Sequence, residues 1–363
     1  MLAAITLHPR GGGVATVSRL LKDVLEETWR SELRVVTLLG EDAPPAGRLP
    51  LSSQLSFGAR VAIGAASRDC PWILFAHPSL ARVQAFIPPA WRKPYAVFLH
   101  GVEAWHPLTD AQRLVLERAT LLVANSRFTA ERVAAAHPTL PPIAACPLAL
   151  PRDTHRLAPG STLAVPDRSV LVVARMSASE RYKGHDELLD AWPAVRSRVP
   201  DARLVFVGDG DDVPRLKAKA QSLVPGAVTF GGFVGDADLA RWYQGAAVLA
   251  MPSRGEGFGL AYLEAMRHGV PCLGSRHDAA REVIDDGVTG YLVDQGNSTE
   301  IADCLVALLT DDARRRAMGE AGRRRAEQEF SRDRFATRLR SLLTDAFGAH
   351  EAAGLAGVPG AVR

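Results

Sequence analysis

Short apolar runs alternate with amphipathic helix patterns along most of this sequence. The runs are almost continuous in aliphatic and β-branched residues, which is typical of strands buried on both faces of a parallel sheet. The predicted strands are 2–7, 34–39, 72–76, 95–99, 121–124, 170–174, 203–207, 228–230, 247–251, 270–273 and 291–293. This alternation predicts an α/β chain whose parallel sheets are doubly wound and covered by helices.

The alternation breaks over residues 151–167, where prolines gather and the apolar rhythm is lost. We interpret this stretch as a linker between two Rossmann-like domains, 1–150 and 168–331, each long enough to bury its own core. Residues 332–347 are expected to form a C-terminal helix that could return to the first domain, and 348–363 a disordered tail. Ligands of open α/β sheets bind at the carboxyl ends of the strands, so two such domains facing each other would line a cleft with these loops.

The composition excludes several classes of protein. The 43 Lys and Arg residues against 40 Asp and Glu give a net charge of +3, too small to indicate a nucleic-acid partner. No apolar run approaches the roughly 20 residues of a membrane span, and the first residues lack the basic region of a signal peptide. The scattered cysteines have no metal-ligand spacing, which favours buried thiols in a reducing cytoplasm: Cys70, Cys146, Cys272 and Cys304. We therefore expect a cytoplasmic location.

Two glutamates stand eight positions apart around a glycine-rich turn in the second half. Glu256 lies in the stretch 252–260, which holds three glycines within five residues, and Glu264 lies in the helix pattern that follows. The glycines allow a ligand to approach the main chain, and the amides that begin the helix suit a phosphate. Either glutamate alone is more simply a solvated side chain. Their combination predicts that one elongated ligand is held at two places.

A second loop carries two cations. Arg175 follows the strand at 170–174, and Lys183 immediately precedes a predicted helix. Two positive side chains on one loop suit a diphosphate, because they neutralise the charge that grows when it leaves. In isolation, both could equally be ordinary solvated residues.

The order of these motifs resembles a known family. The ordered set resembles the signatures of retaining GT-B glycosyltransferases of the family 4 type: Arg175, Lys183-Gly184, 207–210, 230–233 and Glu256 to Glu264. The resemblance covers the second half through 278–294 and, more weakly, the first half. It implies the GT-B fold, in which two Rossmann-like domains face each other across a cleft. It also implies transfer of a hexose from a nucleotide diphosphate sugar.

The resemblance implies roles for individual residues. Arg175 and Lys183 would bind the donor diphosphate, Glu256 the hydroxyls of the donor sugar, and Glu264 the ribose hydroxyls. Backbone amides of the loop would contact phosphate or sugar, and the segment after the strand at 228–230 would lie against the base. These donor-binding segments are Gly257, Phe258, Gly259 and Leu260 for the loop, and Gly232, Phe233 and Val234 for the base.

The first half offers fewer signals. The triple glycine Gly11, Gly12 and Gly13 joins the first strand to a helix pattern, but its spacing is not that of a dinucleotide-binding motif. The resemblance places it near the donor phosphates. His100 follows a strand and resembles the family's strand-end histidine that contacts the donor sugar, although a lone histidine in this position is more often structural. Glu103 and Trp105 could line the acceptor site or only shape the turn.

The expected reaction transfers a hexose from GDP-mannose or a UDP-hexose to a hydroxyl of a glycan or lipid-linked acceptor, with retention of configuration. Glu256, His100, Arg175 and Lys183 are the expected catalytic residues. We expect no cofactor and no metal: the acidic run 209–212 follows a strand, and the two cations already supply positive charge. Two alternatives stay open: an epimerase or phosphorylase on the same fold, and a non-catalytic nucleotide-sugar-binding subunit.

Two segments could contact an anionic membrane peripherally, on its inner face. The segment 86–93 mixes aromatic and basic residues, as an interfacial patch does. The arginine clusters 314–316 and 323–325 lie on a predicted helix, where a solvated face is the simpler interpretation. Relatives that extend lipid-linked or cell-surface glycans at the membrane make this contact worth testing.

Overall fold

The computed structural model describes residues 1–29, 33–39, 50–151 and 165–355, without the side chains of residues 10, 236 and 349–355. The chain divides into two compact units. Unit 1 comprises Met1–Pro151 together with Arg332–Arg363, and unit 2 comprises Arg152–Ser331. Most of the predicted linker, residues 152–164, lies outside the described residues.

Unit 1 is built on a six-stranded parallel sheet in the order β2-β1-β3-β4-β5-β6. Its strands are β1 Leu2–Ala4, β2 Val35–Thr37, β3 Ile73–Phe75, β4 Tyr95–Leu99, β5 Leu121–Ala124 and β6 Ile143–Ala145. Its α-helices are α1 Gly12–Trp29, α2 Leu51–Ala66, α3 Pro78–Ala81, α4 Val102–Trp105, α5 Asp110–Glu117, α6 Arg127–Ala136 and α14 Arg332–Leu355. Short 3-10 turns are Pro9–Gly11, Arg82–Ala85 and Pro89–Trp91. The strands β3, β4 and most of β5 are fully buried, as their apolar runs predict.

Unit 2 repeats this architecture with the order β12-β11-β10-β7-β8-β9, again parallel throughout. Its strands are β7 Ser169–Val173, β8 Arg203–Val207, β9 Val228–Gly232, β10 Val248–Met251, β11 Cys272–Ser275 and β12 Gly290–Val293. Its α-helices are α7 His185–Arg198, α8 Val213–Leu223, α9 Asp236–Gly245, α10 Leu260–Arg267, α11 Ala280–Val283, α12 Ser298–Thr310 and α13 Asp312–Glu329, and Ala178–Lys183 is a 3-10 turn. The predicted α/β class with doubly wound sheets is confirmed.

The C-terminal helix α14 packs in unit 1, against α1. Arg332 and Arg340 both reach the carboxylate of Glu27, at 2.7 and 3.2 Å. The Phe347 ring is buried and stacks on Trp72, with ring centroids 5.0 Å apart. The helix continues to Leu355, so the expectation of a disordered tail from residue 348 is wrong for 348–355. Between its two glycines the continuation holds the helix formers Ala349, Glu351, Ala352 and Ala353. Residues 356–363 lie outside the described part.

Candidate functional site

The glycine-rich loop of unit 2 connects β10 to α10. Gly259 caps the helix with φ +96°, and a side chain there would overlap the Tyr262 ring, so the turn requires glycine. The neighbouring Gly257 and Phe258 are also buried, whereas Leu260 at the start of α10 is half-buried. Phe258 packs its ring against Phe330, so what this residue can offer a ligand is its backbone. The start of α10 behind this glycine turn is therefore a candidate anion site.

A second segment, the 3-10 turn Ala178–Lys183, lies directly against this loop. Gly184 ends the turn at φ +90°, and a Cβ there would stand 2.8 Å from the carbonyl oxygen of Pro252. The backbone N–H of Arg254 donates to the carbonyl of Tyr182 at 2.8 Å. The loop after β7 and the loop after β10 are thus joined through their main chains, because β7 and β10 are neighbouring parallel strands.

Lys183 and Glu256 form an ion pair across these two loops. The Lys183 Nζ donates to Glu256 Oε2 at 3.0 Å, and the two side chains are only 19% and 15% exposed. Burial by itself lowers the pKa of Lys183, but the adjacent Glu256 carboxylate and the Tyr182 hydroxyl raise it by more, so the net shift is upward. The structure therefore brings two predicted site residues, separated by 73 positions, into direct contact as an ion pair.

Asp278 binds the backbone of Glu256, a role that no sequence motif indicated. Its carboxylate accepts from the backbone N–H of Glu256 at 3.1 Å and from that of Ala280 at 2.9 Å, and the Ala279 N–H donates to the Glu256 carbonyl. Asp278 is fully buried, and this burial together with the Glu256 charge raises its pKa to about 7. The signal available in the sequence is its position, just before a short helix, where Asp binds backbone amides.

Arg175 is close to this pair in the chain but differs in environment. Its side chain is 62% exposed and lies 3.6 Å from the Glu180 carboxylate. In a weak, solvent-screened pair of this kind the guanidinium stays available to another anion. The structure places Arg175 just after β7 and Lys183 at the end of the turn that follows, so both predicted cations belong to one connection.

The acidic run after β8 has structural partners. Asp212 is buried and pairs with Arg181 and Arg215, at 3.0 and 2.6 Å. Asp211 accepts from the backbone N–H of Ala178 and so fixes the start of the 3-10 turn. Within the described residues, no group of three or more His, Cys, Asp or Glu side chains is arranged to hold a metal ion.

Glu264 lies on α10, half-buried, and its Oε2 accepts from the Tyr243 hydroxyl at 2.6 Å. Tyr243 is fully buried on α9, and burial and the Glu264 carboxylate raise its pKa well above the usual value. The hydroxyl therefore stays protonated and orients the carboxylate. The sequence did not identify this partner, since its signal is a tyrosine in an otherwise ordinary helix.

The segment predicted to meet the base follows the edge strand β9. Gly232 has φ +65°, with open space where a Cβ would stand, and Phe233 is 55% exposed. Val234 is half-buried. An exposed aromatic ring beside an open glycine offers a flat apolar surface, which suits stacking of a base.

In unit 1, the triple glycine lies at the start of α1. Gly11 ends a 3-10 turn and Gly12 begins the helix with φ +67°. A Cβ on Gly13 would meet nothing within 4 Å, so space is open beside the helix start. Gly12 and Gly13 are exposed and leave their main chain accessible to a ligand, whereas a Cβ on Gly11 would overlap Ala15 and Thr6.

His100 stands at the carboxyl end of β4, and its neighbours hold it firmly. Glu103 Oε1 accepts from the backbone N–H groups of His100 and Gly101, at 2.6 and 3.1 Å, while the Asn125 amide donates to the His100 carbonyl at 2.6 Å. Glu103 is thereby occupied in shaping the turn. Trp105 is buried, packing edge-on against Phe128, which favours the alternative that it too shapes the turn instead of lining an acceptor site.

Sequence and structural comparisons identify the family. The profile of the family described as glycosyl transferases group 1 matches residues 167–311. A GDP-mannose-dependent alpha-(1-6)-phosphatidylinositol monomannoside mannosyltransferase of Mycobacterium tuberculosis is 31% identical over 260 residues, covering 67% of this chain and 68% of the relative. The chain belongs to this glycosyltransferase family. The predicted likeness to the family 4 type, and the prediction of an enzyme of this class, are confirmed.

Other relatives of this glycosyltransferase match over a shorter part of the chain or with lower sequence identity. A phosphatidyl-myo-inositol mannosyltransferase of Mycobacterium leprae is 40% identical over 156 residues, which cover 43% of this chain and 41% of the relative. The sucrose-phosphate synthase of Thermosynechococcus elongatus superposes with a TM-score of 0.78 at 20% identity, over 96% of this chain and all of that one. The Anabaena protein HepE, solved with UDP and glucose, gives 0.77 at 20% identity, over 95% of this chain and 100% of that one. These structures confirm the GT-B fold of the glycosyltransferase.

The buried Asp278 makes a prediction about pH. Its carboxyl, with a folded pKa of about 7 against an ordinary value of 3.8, keeps its proton in the folded protein long after the unfolded chain has released it. Its stabilising contribution is therefore complete below about pH 3.8 and is lost as the pH rises through 7. We expect wild type to lose about 2 kcal/mol of stability relative to Asp278→Asn, which cannot titrate, between about pH 5 and pH 8.

Urea unfolding of both proteins across that pH range measures this difference. Glu256 raises and Lys183 lowers the pKa of Asp278. Both effects contribute to the stability difference between wild type and Asp278→Asn. Asp167→Asn, at an exposed position, is the matched control and should track wild type. A stability difference between wild type and Asp278→Asn that stays constant with pH contradicts the assignment.

Proposed function

We propose that this glycosyltransferase transfers mannose from GDP-mannose to a hydroxyl of a lipid-linked or glycan acceptor, with retention of the anomeric configuration. The observation that carries the proposal is the preformed Lys183–Glu256 pair beside the glycine-rich start of α10. A sugar diphosphate bound there would meet a cation and a carboxylate that are already in contact, next to the backbone amides of a helix start.

The charges of the site fit the chemistry of the leaving group. When the bond between sugar C1 and the diphosphate oxygen breaks, negative charge grows on the diphosphate. Lys183, the exposed Arg175 guanidinium and the amides at the start of α10 would stabilise that charge. Glu256 would then bind sugar hydroxyls, and Glu264, oriented by Tyr243, the ribose hydroxyls.

For retention, we propose that the acceptor oxygen forms its bond to C1 on the face that the diphosphate leaves. The acceptor hydroxyl proton passes to the departing phosphate oxygen, so the products are the glycoside and the nucleoside diphosphate. This route needs no protein carboxylate as nucleophile. His100 of unit 1 is proposed to contact the transferred sugar. The placement of the two domains across a cleft stays a prediction.

The choice of donor and acceptor rests on the names of relatives. The M. tuberculosis relative is described as GDP-mannose-dependent and as acting on a phosphatidylinositol monomannoside. A relative of Mycolicibacterium smegmatis with the same description is 33% identical over 265 residues. Several structurally similar proteins were instead solved in complex with UDP, so a UDP-hexose is the alternative donor to be tested. No cofactor or metal is part of the proposal.

The central prediction concerns Glu256→Ala and Lys183→Ala. Each substitution removes a group proposed to act on the sugar or the leaving diphosphate, so turnover of GDP-mannose should fall on the order of 10²-fold or more. Initial rates with GDP-mannose and, in parallel, UDP-glucose measure this and name the donor. Arg316→Ala, whose side chain is 79% exposed, is the control and should keep wild-type rates.

Folding must be checked alongside, because each substitution leaves a charged partner half-buried. Thermal unfolding of the same samples separates loss of structure from loss of chemistry. If both folded variants turn over either donor at the wild-type rate, the site assignment is wrong.

We further propose that unit 1 contacts the cytoplasmic face of an anionic membrane peripherally. No helix in the described part of the chain is both long and apolar enough to cross a bilayer. Phe86 and Trp91 are 85% and 45% exposed, with the guanidinium-bearing Arg92 next to them. On α2, which contacts the Pro89–Trp91 turn, the exposed apolar side chains are Leu51, Leu55 and Ile63. Exposed aromatic and aliphatic groups beside basic ones suit a lipid surface.

The arginine clusters of α13 are a poorer candidate for this contact. Arg315, Arg323 and Arg325 each form an ion pair with an acid on the same helix, at 2.6 to 2.8 Å. Arg314, Arg316 and Arg324 lie 3.5 to 4.0 Å from acids of the same helix or its N-cap. Local acids of this kind favour the solvated-face interpretation.

The membrane contact predicts the behaviour of Phe86→Ser with Trp91→Ser. Removing both rings should reduce co-flotation with vesicles of phosphatidylcholine and phosphatidylglycerol by several-fold, since each ring contributes buried apolar area. Leu223→Ser, an exposed apolar residue of unit 2, is the control. Absence of wild-type flotation with anionic vesicles contradicts the proposal.

A further inference from the structure

The ring of Tyr182 packs against the loop that carries Glu256. Tyr182 precedes Lys183 in the 3-10 turn Ala178–Lys183, and its side chain is half-buried. A Cβ built on Gly255 would lie 2.8 Å from Cδ2 and 3.0 Å from Cε2 of the Tyr182 ring. The ring therefore lies directly on the main chain of the loop after β10, and a side chain at position 255 would displace it.

The same ring lies beside the Lys183 ammonium. Lys183 Nζ is 5.4 Å from the centroid of the Tyr182 ring and 3.0 Å from Glu256 Oε2. A cation within about 6 Å of an aromatic centroid is attracted by the quadrupole of the ring. Burial raises the pKa of the Tyr182 hydroxyl, so the ring is neutral near pH 7 and attracts the ammonium through its π-electrons. The ammonium thus has two neighbours that favour its present position, a carboxylate and an aromatic ring.

The hydroxyl of Tyr182 adds nothing to this arrangement. It forms no hydrogen bond with the part of the chain that the structure describes. The position of the ring therefore depends on its packing against Gly255 and Lys183. The ring is the part of this side chain that can restrain the ammonium.

Other groups hold the main chain of the 3-10 turn. The backbone N–H of Arg254 donates to the Tyr182 carbonyl at 2.8 Å. Arg181 pairs with the buried Asp212 at 3.0 Å. Neither contact uses the Tyr182 side chain, so replacing the ring should leave the backbone of the turn in place.

Lys183 is a residue that benefits from restraint. A lysine ammonium stands on a flexible four-carbon stem, whose rotamer freedom is lost when the ammonium binds a ligand. Under the proposed function, Glu256 would turn to the sugar hydroxyls once the donor is bound. The Tyr182 ring would then be the neighbour that still restrains the ammonium.

We propose that Tyr182 is a positioning residue for Lys183: its ring, packed on Gly255, keeps the ammonium at the place where the leaving diphosphate is bound. The inference rests on the proposed function, because it requires Lys183 to bind a diphosphate. The ring acts as a neutral aromatic face, the hydroxyl has no part in it, and the effect on the ligand passes through the lysine.

Calorimetric titration of the full chain with GDP, and with UDP in parallel, tests this inference. We expect Tyr182→Leu, which keeps an apolar side chain but no aromatic face, to bind the nucleoside diphosphate about tenfold more weakly than wild type. Tyr182→Phe should restore most of that affinity, because it keeps the ring. Tyr291→Leu, which replaces a half-buried tyrosine of β12 in the same way, is the matched control and should bind as wild type does.

A double-substitution cycle shows whether the ring acts through the lysine. In the Lys183→Ala background, Tyr182→Leu should cause no further loss of affinity, since the cation that the ring restrains is gone. Gly255→Ala approaches the same contact from the other loop and should also weaken binding, because its methyl group would displace the ring. Thermal unfolding of every variant shows whether it is folded.

Three results overturn the inference while leaving the proposed function intact. The first is a loss in Tyr182→Phe equal to that in Tyr182→Leu, and the second is an equal loss from Tyr182→Leu with and without Lys183. The third is wild-type affinity in folded Tyr182→Leu and Gly255→Ala. Undiminished affinity in Lys183→Ala, or failure of wild type to bind either GDP or UDP, overturns the proposed role of the lysine and this inference with it.

Discussion

The contact on which the unit 2 site depends is the ion pair between Lys183 and Glu256. A half-buried charge of either sign is costly alone, so each residue stabilises the other in a place where water is scarce. The pair forms because β7 and β10 are neighbours, and because Gly184 lets the two following loops touch. Asp278, in the loop between β11 and α11, accepts a hydrogen bond from the backbone N–H of Glu256. Under the proposed function, an incoming diphosphate would bind a lysine that the protein has already positioned.

The same principle operates in both units. In each sheet the side chains proposed to act in the reaction lie at or just after the ends of parallel strands, and residues far apart in sequence meet there. Unit 2 presents charges suited to a diphosphate and hydroxyls, whereas unit 1 presents the His100 imidazole and the open helix start at Gly12 and Gly13. The chemistry of each unit thus follows from what its strand ends carry, on two similar frameworks.

Much of this organisation could be predicted from the sequence. Strands buried on both faces are found at the predicted bounds for 95–99, 121–124 and 203–207, because continuous apolar runs define them. The predicted strand 2–7 is only Leu2–Ala4, since the chain turns early toward the glycines, and β6 was missed because it is a short, half-buried edge strand of small residues. Asp278 and Tyr243 could not be predicted, because their importance comes from neighbours brought close by the fold. The acidic run 209–212 is conspicuous in the sequence, but Asp211 and Asp212 bind the 3-10 turn Ala178–Lys183 and the start of α8.

A structure of the protein with GDP-mannose bound tests the central claim most directly. The account predicts diphosphate oxygens within hydrogen-bond distance of Lys183 Nζ and the Arg175 guanidinium, with the mannose on the Glu256 carboxylate and the ribose hydroxyls on Glu264. A nucleotide sugar whose diphosphate lies away from Lys183, with the Lys183–Glu256 pair untouched, would contradict it.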